Sequence, residues 1–323
     1  MKIGFLNKVF TVVLLVFMMA AFAGCGEQTV EKSDIKIATG DTAGTYYPIG
    51  GAITEAVNKN VSSLNVSVES TKGSVDNINR LKDGKADLAI IQNDIAYYAA
   101  NGTEMFKDKK VDNLRGLASL YPETCQFVTL ADKDILSIND LRGKKIAVGA
   151  EGSGAEANAR QILEAYGLTY KDIDAQYLSF TEGAAALKDG KVDAAFLTAG
   201  YPTKAVQDIA KQSKIRILPI ESDKASILIG LYPYYTRTTI PKNSYDGLDE
   251  DVQTISVMAL LATTDKLSDN NGREITKAIF DSKENLQSAH EVAKFINIKN
   301  ATLGMSIKMN SGAEKYIRDF SGK

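Results

Sequence analysis

Short apolar runs alternate with helical patterns along most of the chain. Runs at 35–39, 87–92, 145–149 and 193–197 are almost continuously apolar, which is typical of parallel strands covered on both faces. A glycine-rich or polar turn follows each run, and a stretch with helical spacing comes next. Repetition of strand, turn and helix predicts an α/β protein with doubly wound sheets.

An internal repeat divides this pattern into two halves. The segment Leu81-Lys-Asp-Gly-Lys-Ala-Asp87 recurs as Leu187-Lys-Asp-Gly-Lys-Val-Asp193, and similar strands ending in Gly40 and Gly149 precede the two copies. We therefore expect two similar α/β lobes with a cleft between them, and such clefts are preferred sites for small ligands. The C-terminal part has no counterpart in the repeat and is expected to return to the first lobe. The predicted divisions are 35–121 with 235–323 for lobe one, and 122–234 for lobe two.

The N-terminus has the pattern of an export signal. Lys2 and Lys8 precede an apolar stretch that ends at Gly24-Cys25, and a small pair before cysteine is typical of bacterial lipoprotein signals. We predict a signal peptide over 1–24, lipid on Cys25, a polar tether over 25–34, and a protein held on the outer or periplasmic side of the membrane. The alternatives are a plain secretory signal or a short membrane helix.

Composition argues against several functions. Loss of the signal leaves 36 of the 38 basic residues and all 40 acidic ones, a balance unlike that of nucleic-acid-binding proteins. Cys125 then remains as a lone cysteine in an apolar run, where buried packing is expected. His290 is the only histidine, and a surface or capping role is expected for it. No nucleophile motif, metal site or cofactor site is predicted, although the acidic loop 246–251 leaves a bound metal open.

Two glycine-rich turns at matching positions are the best candidates for ligand binding. Each follows a strand and opens a helix, so unpaired N–H groups and the helix dipole favour a carboxylate or phosphate there. Helix capping alone is the other interpretation. The candidates in these turns are Gly44, Thr45 and Tyr46 in lobe one, and Gly152, Ser153, Gly154 and Glu156 in lobe two.

Further candidates lie at a third helix start and at the ends of the repeated strands. Ser74 is expected to cap the helix that begins near 75, with Asn77 one turn further on. The repeated strands end in polar or small residues, which would face the cleft because open α/β sheets bind ligands at the carboxyl ends of their strands. These are Gln92 and Asp94 in lobe one, and Thr198, Ala199 and Gly200 in lobe two. Asp94 is a candidate partner for a ligand ammonium group.

Taken together, these motifs resemble the TAXI family of solute receptors for tripartite (TRAP) secondary transporters. The resemblance covers nearly all of the chain after the signal. It rests on Gly44-Thr-Tyr-Tyr-Pro-Ile-Gly-Gly51, Gly73-Ser-Val-Asp-Asn77, Ala86-Asp-Leu-Ala-Ile-Ile-Gln-Asn-Asp94, Ala118-Ser-Leu-Tyr-Pro-Glu123, Val148-Gly-Ala-Glu-Gly-Ser-Gly-Ala-Glu-Ala-Asn158, Ala199-Gly-Tyr-Pro202, Tyr235-Thr-Arg-Thr-Thr-Ile-Pro241 and Asp249-Glu-Asp-Val252.

The resemblance implies a two-lobed periplasmic-binding-protein fold, type II-like. It also implies a monomeric receptor that delivers a small carboxylate, of the glutamate, glutamine or 2-oxoglutarate class, to a TRAP membrane permease. Two alternatives remain: a receptor for an ATP-driven (ABC) importer or a sensor kinase, and an exported enzyme on the same fold. The enzyme would require a nucleophile or base that the sequence does not offer.

Overall fold

A computed structural model describes residues 32–320 of the chain. Within this range ten strands form one mixed sheet, and helices cover its faces. The strands are β1 (Ser33–Ala38), β2 (Leu64–Glu69), β3 (Leu88–Gln92), β4 (Leu114–Leu130), β5 (Lys145–Ala147), β6 (Asp174–Gln176), β7 (Ala194–Ala199), β8 (Ile215–Leu218), β9 (Thr236–Ile240) and β10 (Val252–Thr264).

Ten α-helices connect or flank these strands within the same range. They are α1 (Tyr46–Asn60), α2 (Ser74–Lys82), α3 (Asn93–Asn101), α4 (Gly154–Ala165), α5 (Phe180–Lys188), α6 (Lys204–Ala210), α7 (Ser222–Leu231), α8 (Asp269–Asp281), α9 (Lys283–Ala289) and α10 (Ser311–Phe320). Shorter 3-10 turns occur at Glu104–Phe106, Ile138–Leu141, Glu291–Phe295 and Ile298–Asn300.

The strand order separates the sheet into two similar halves. Its main path is β2-β1-β3-β10-β4-β7-β5-β6, with β8 paired to β4 and β9 to β10. In the first half β1 lies between β2 and β3, all parallel, and in the second half β5 lies likewise between β6 and β7. The repeat in the sequence therefore corresponds to a repeated βαβ arrangement, and the predicted α/β fold class is confirmed.

Two long antiparallel strands join the halves. The 17-residue β4 pairs with β10 along its first part and with β7 and β8 along its second. The 13-residue β10 pairs with β9 at its start and with β3 further along. Residues 114–130 thus form one continuous strand through both halves. A continuous strand accounts for the nearly unbroken burial along β4.

Each half has its own apolar core. Ile37, Ile53 and Leu88 belong to a cluster in the first half, and Phe127, Ile146 and Phe196 belong to one in the second. The division of the chain into lobes stays a prediction, and the packing favours one change to it. Residues Tyr235 and Ile240, placed in lobe one from the sequence, pack with the second half. The return to the first half therefore falls within β10 instead of at residue 235.

Candidate functional site

A cavity of about 120 Å³ lies between the two halves of the sheet. One water needs on the order of 10–15 Å³, so the cavity can hold a small organic molecule. Among the described residues, its lining comes from both halves: Gly40, Asp41, Gly44, Thr45, Tyr46, Thr71, Lys72, Gly73, Ser74, Gln92 and Glu123, with Ala150, Ser153, Gly154, Ala155, Ser179, Phe180, Thr198 and Ala199 opposite.

The N-termini of four helices converge on this cavity. Helices α1 and α2 point at it from the first half, and α4 and α5 point at it from the second, because Tyr46, Ser74, Gly154 and Phe180 are their first residues and all line the cavity. The first N–H groups of a helix have no partner within the helix, and its dipole places partial positive charge at that end. Four such ends around one space favour a negatively charged ligand.

Local sequence fixes these helix starts. Gly73 precedes α2 with φ +112°, a conformation that glycine adopts readily and other residues rarely do. Gly73 is the N-cap of α2, so the prediction that Ser74 caps this helix is wrong. The hydroxyl of Ser74 instead accepts the backbone N–H of Gln92 at 3.1 Å. Ser153 does cap α4, since its Oγ accepts the Glu156 N–H at 3.1 Å.

Hydrogen bonds across the rim show that the two halves are closed on each other. Thr45 Oγ1 donates to the Gly200 carbonyl at 3.0 Å, and Thr181 Oγ1 donates to Asp41 Oδ1 at 2.7 Å. Backbone bonds also join the halves, from the Asp76 N–H to the Gly152 carbonyl at 3.1 Å. The glycine-rich turns of the two halves are therefore joined by hydrogen bonds, and they also surround the cavity.

Glu123 lines the cavity at the point where β4 passes from one half to the other. Its side chain is 1% exposed, and its Oε2 accepts Gln92 Nε2 at 3.3 Å, while Oε1 has no hydrogen-bond partner among the described residues. Burial raises the pKa of Glu123 to about 8; the hydroxyl of Tyr46 and the amide of Gln92 oppose the rise, and the charge of Asp94 adds to it. Sequence reasoning did not select this residue as a ligand contact. The available signal was a single acid within an otherwise buried strand.

Asp94 lies behind the cavity in a buried network that joins the halves. Asn158 of α4 donates through Nδ2 to Asp94 Oδ2 and to the Tyr235 hydroxyl, both at 2.8 Å. Asn158 Oδ1 accepts Gln92 Nε2 at 3.1 Å. Burial raises the pKa of Asp94 to about 6, and the Asn158 hydrogen bond opposes that rise. The network continues to Gln161, whose Oε1 accepts a hydrogen bond from the Tyr235 hydroxyl at 2.6 Å.

The structure brings nine of the fourteen predicted ligand contacts to the cavity. They are Gly44, Thr45, Tyr46, Ser74, Gln92, Ser153, Gly154, Thr198 and Ala199. Their part in binding stays a prediction. Cys25, the predicted site of lipidation, lies outside the described residues.

The other five predicted contacts do not line the cavity. Asn77 is buried beneath it and donates to the carbonyls of Thr39 and Ile90. Glu156 points away and accepts the Tyr170 hydroxyl at 2.8 Å. The remaining three are Asp94, in the network described above, and Gly152 and Gly200, whose carbonyls accept bonds across the rim.

His290 and Cys125 have structural roles in this fold. Cys125 is buried, as predicted. His290 follows α9 and caps the next turn, because its Nδ1 accepts the Val292 N–H. Its Nε2 then carries the proton that faces the Pro202 carbonyl at 3.1 Å.

Across residues 32–320 no cluster of His, Cys, Asp and Glu is arranged to hold a metal, and no helix is long and apolar enough to cross a bilayer.

The chain has the fold of the periplasmic solute-binding proteins. The periplasmic aliphatic sulphonate binding protein SsuA from Escherichia coli is 17% identical, with a TM-score of 0.51 over 90% of this chain and 78% of that one. The alkanesulfonate-binding protein SsuA from Xanthomonas axonopodis pv. citri, bound to MOPS, is 16% identical, with a TM-score of 0.52 over 89% and 84%. A putative L-cystine ABC transporter protein from Listeria monocytogenes is 14% identical, with a TM-score of 0.50 over 80% and 94%. The family follows from the sequence: residues 37–319 match the NMT1-like family, and the chain belongs to it.

Proposed function

We propose that this protein is an extracytoplasmic solute receptor for a membrane transporter. The observation that carries the proposal is the closed cavity between two half-sheets, lined by four helix N-termini. Hydrogen bonds on both sides of the cavity join the halves, so a ligand held there would touch both. Such a ligand favours the closed state by its differential contacts. A receptor that closes in this way presents its loaded form to a transporter.

The ligand in this proposal is a small carboxylate of the glutamate, glutamine or 2-oxoglutarate class. The helix N-termini supply donors for an acid group, and the cavity volume suits a molecule of this size. The residues proposed to hold the acid group are Thr45, Ser74 and Ser153, together with the backbone N–H groups beside them. Sulfonates are the named ligands of the SsuA proteins, and an acid group at helix N-termini would serve both ligand types.

The proposed transporter is a TRAP-type permease, as the TAXI resemblance implies. The alternative is an ABC importer or a sensor kinase, and the protein of similar fold named as a putative L-cystine ABC transporter favours the importer. An exported enzyme is a weaker candidate, because the cavity lining described above contains no histidine or cysteine. Purification of the receptor in complex with a solubilised permease would separate the first two. A stable complex with an ATPase-containing importer would contradict the TRAP assignment.

We further propose that lipid on Cys25 holds the receptor at the membrane. Cys25→Ser should release the mature chain from membranes or block its processing, because the acceptor sulfur is gone. Fractionation of cells that produce each form measures this. A Cys25→Ser protein of mature size that still sediments with membranes would contradict lipid anchoring.

A melting screen tests the substrate class. Ligand at 100 times its dissociation constant adds about 2.7 kcal/mol to the free energy of unfolding, and the melting temperature should rise accordingly. The protein is first unfolded, freed of any co-purified ligand and refolded, and is then heated with dicarboxylates, 2-oxo acids, acidic amino acids and sulfonates. If only sulfonates raise the melting temperature, the carboxylate assignment is wrong.

A further inference from the structure

The two sides of the cavity differ in hydrogen-bonding character. The helix starts at Tyr46, Ser74 and Gly154 present N–H donors. The strand side presents carboxyl and amide oxygens: Glu123 Oε1 and Gln92 Oε1 are both buried, and neither has a hydrogen-bond partner among the described residues. A buried acceptor without a donor costs about 1–3 kcal/mol, and more when it is charged. A native ligand that supplied the missing donors would remove this cost.

The orientation of the Gln92 amide is fixed by its surroundings. Its Nε2 faces two oxygens, Glu123 Oε2 at 3.3 Å and Asn158 Oδ1 at 3.1 Å. Asn158 Oδ1 is itself an acceptor, because the Asn158 Nδ2 donates to Asp94 and Tyr235. A flipped Gln92 would place its oxygen against Asn158 Oδ1, which is an acceptor whether or not Glu123 is ionised. The amide therefore leaves Oε1 as the unpaired atom, and its Nε2 contacts the Glu123 carboxyl, whose Oε1 is also unpaired.

We infer that Glu123 is the specificity-determining residue of the cleft, and that with Gln92 it binds an amino group of the ligand. An ammonium group has three N–H donors and no acceptor, which complements unpaired oxygens on two side chains that contact each other. The ligand is then held by its acid group at the helix N-termini and by its amino group at Glu123. This inference rests on the proposed function and assigns a role within it to a residue that the sequence did not single out.

The charge of Glu123 changes when such a ligand binds. The groups that face it are Tyr46 from α1, Asp94 from α3, and Tyr121 and Cys125 from β4; Asp41 and Lys72 lie on the cavity wall. The side chains that act on the pKa of Glu123, those of Tyr46, Gln92 and Asp94, all belong to the first half, so we expect the raised pKa to hold before the halves close. Without ligand Glu123 is then largely protonated at pH 7, and both of its oxygens become acceptors only when that proton leaves. A ligand ammonium favours the ionised carboxylate, so the carboxyl proton passes to the solvent buffer as the ion pair forms. Binding should release roughly one proton at pH 7.

Titration calorimetry with L-glutamate and 2-oxoglutarate tests the inference, because the two molecules share both carboxylates and differ in the group on C2. Glu123→Gln keeps the shape of the side chain and removes its charge. It should weaken glutamate binding about 10- to 100-fold, the equivalent of a charge-assisted hydrogen bond. The same variant should change 2-oxoglutarate binding by less than about threefold. Repetition in phosphate and Tris at pH 7 should show proton release by the wild type with glutamate and none by Glu123→Gln.

Two further variants test whether a selective loss of glutamate binding is specific to the acid that lines the cavity. Asp94→Asn alters a buried acid that does not line the cavity, so both ligands should weaken by the same factor. Glu164→Gln alters a surface acid of α4 that pairs with Arg160 and should leave both affinities unchanged. Equal losses of glutamate and 2-oxoglutarate in Glu123→Gln, or proton uptake on glutamate binding, would overturn the inference and leave the proposed function intact. A wild-type protein that binds neither acid would contradict the proposed function itself.

Discussion

At Gly154 the lack of a side chain lets the two halves meet. A Cβ built there would lie 1.8 Å from Gln92 Oε1 on the other half. Real Cβ atoms do not approach so closely, and Gln92 is held by Glu123 and Asn158. A glycine at this position is therefore required for closure, over and above any contact between its N–H and the ligand.

Gly154→Ala should weaken ligand binding, because closure would force the new methyl group into Gln92. Overpacking of a filled interior costs about 1–3 kcal/mol, which corresponds to roughly a 5- to 150-fold loss of affinity. Gly51→Ala is the matched control, since nothing lies within 4 Å of a Cβ there. It should raise stability by about 0.5–1 kcal/mol, as alanine does in a helix interior, and leave affinity unchanged. Calorimetry and chemical denaturation measure the two quantities, and unchanged binding by Gly154→Ala would contradict this reading of the contact.

Glu123 and Asp94 should make stability depend on pH. Both carboxyls have a raised pKa in the folded protein, about 8 and about 6, so the folded state binds more protons than the unfolded chain above pH 4. Stability must therefore fall as pH rises from about 4.5 towards 8. Denaturation of the ligand-free protein at pH 5, 6.5 and 8 measures this, and Glu123→Gln should flatten the upper part of the slope. A wild-type stability that rises over this range would show that these carboxyls are not buried as described.

At the scale of the elements, the repeated strands and their glycine turns could be predicted from sequence, whereas the functions of polar residues at their ends could be predicted only in part. Asp94 was expected at the cleft because it follows a buried strand. The structure has no loop there: α3 begins at Asn93, directly after β3. That start directs Asp94 towards Asn158 of α4. Glu123 was not selected because nothing local shows that β4 continues through two half-sheets.

Helix capping and ligand binding can be separated at the start of α4. Ser153→Ala loses the hydrogen bond to the Glu156 N–H and should cost about 0.5–2 kcal/mol of stability. It should also weaken ligand binding by about 1 kcal/mol, the net value of a neutral hydrogen bond. Ser268→Ala is the matched control, because Ser268 caps α8 in the same way through the Asn271 N–H and does not line the cavity. Similar stability losses are expected, with weaker binding for Ser153→Ala alone; equal affinities of the two variants would remove Ser153 from the ligand site.

At the scale of the whole molecule, closure depends on side chains that do not line the cavity. Asn158 is fully buried and links Gln92 and Asp94 of the first half to α4 of the second. The sequence could not predict this network, because its members come from segments far apart in the chain that only the assembled fold brings together. The network should therefore support closure on any ligand, and through Asn158 it also orients the Gln92 amide that we infer to contact a ligand amino group.

Asn158→Ala should therefore weaken the binding of every ligand, and that of glutamate at least as much as that of 2-oxoglutarate. The substitution leaves the hydrogen-bond partners of Asn158 unsatisfied in the closed form, which costs about 1–3 kcal/mol for each buried group. A loss of ligand affinity of at least about fivefold is therefore expected. Asn58→Ala is the control: Asn58 makes two hydrogen bonds to Val66 within the first half, so stability should fall while affinity stays the same. Calorimetry with glutamate and 2-oxoglutarate compares the losses. A loss confined to one ligand would mean that Asn158 acts on the ligand instead of on closure.

If a small acid closes the two halves around one cavity, the shape of the protein in solution must change when the acid binds. Small-angle X-ray scattering measures this change, with protein refolded free of ligand and the same protein saturated with the acid that raises its melting temperature most. The ligand-bound protein should have the smaller radius of gyration and a scattering profile that matches the closed structure described above. Identical profiles with and without a bound acid would contradict closure on the ligand.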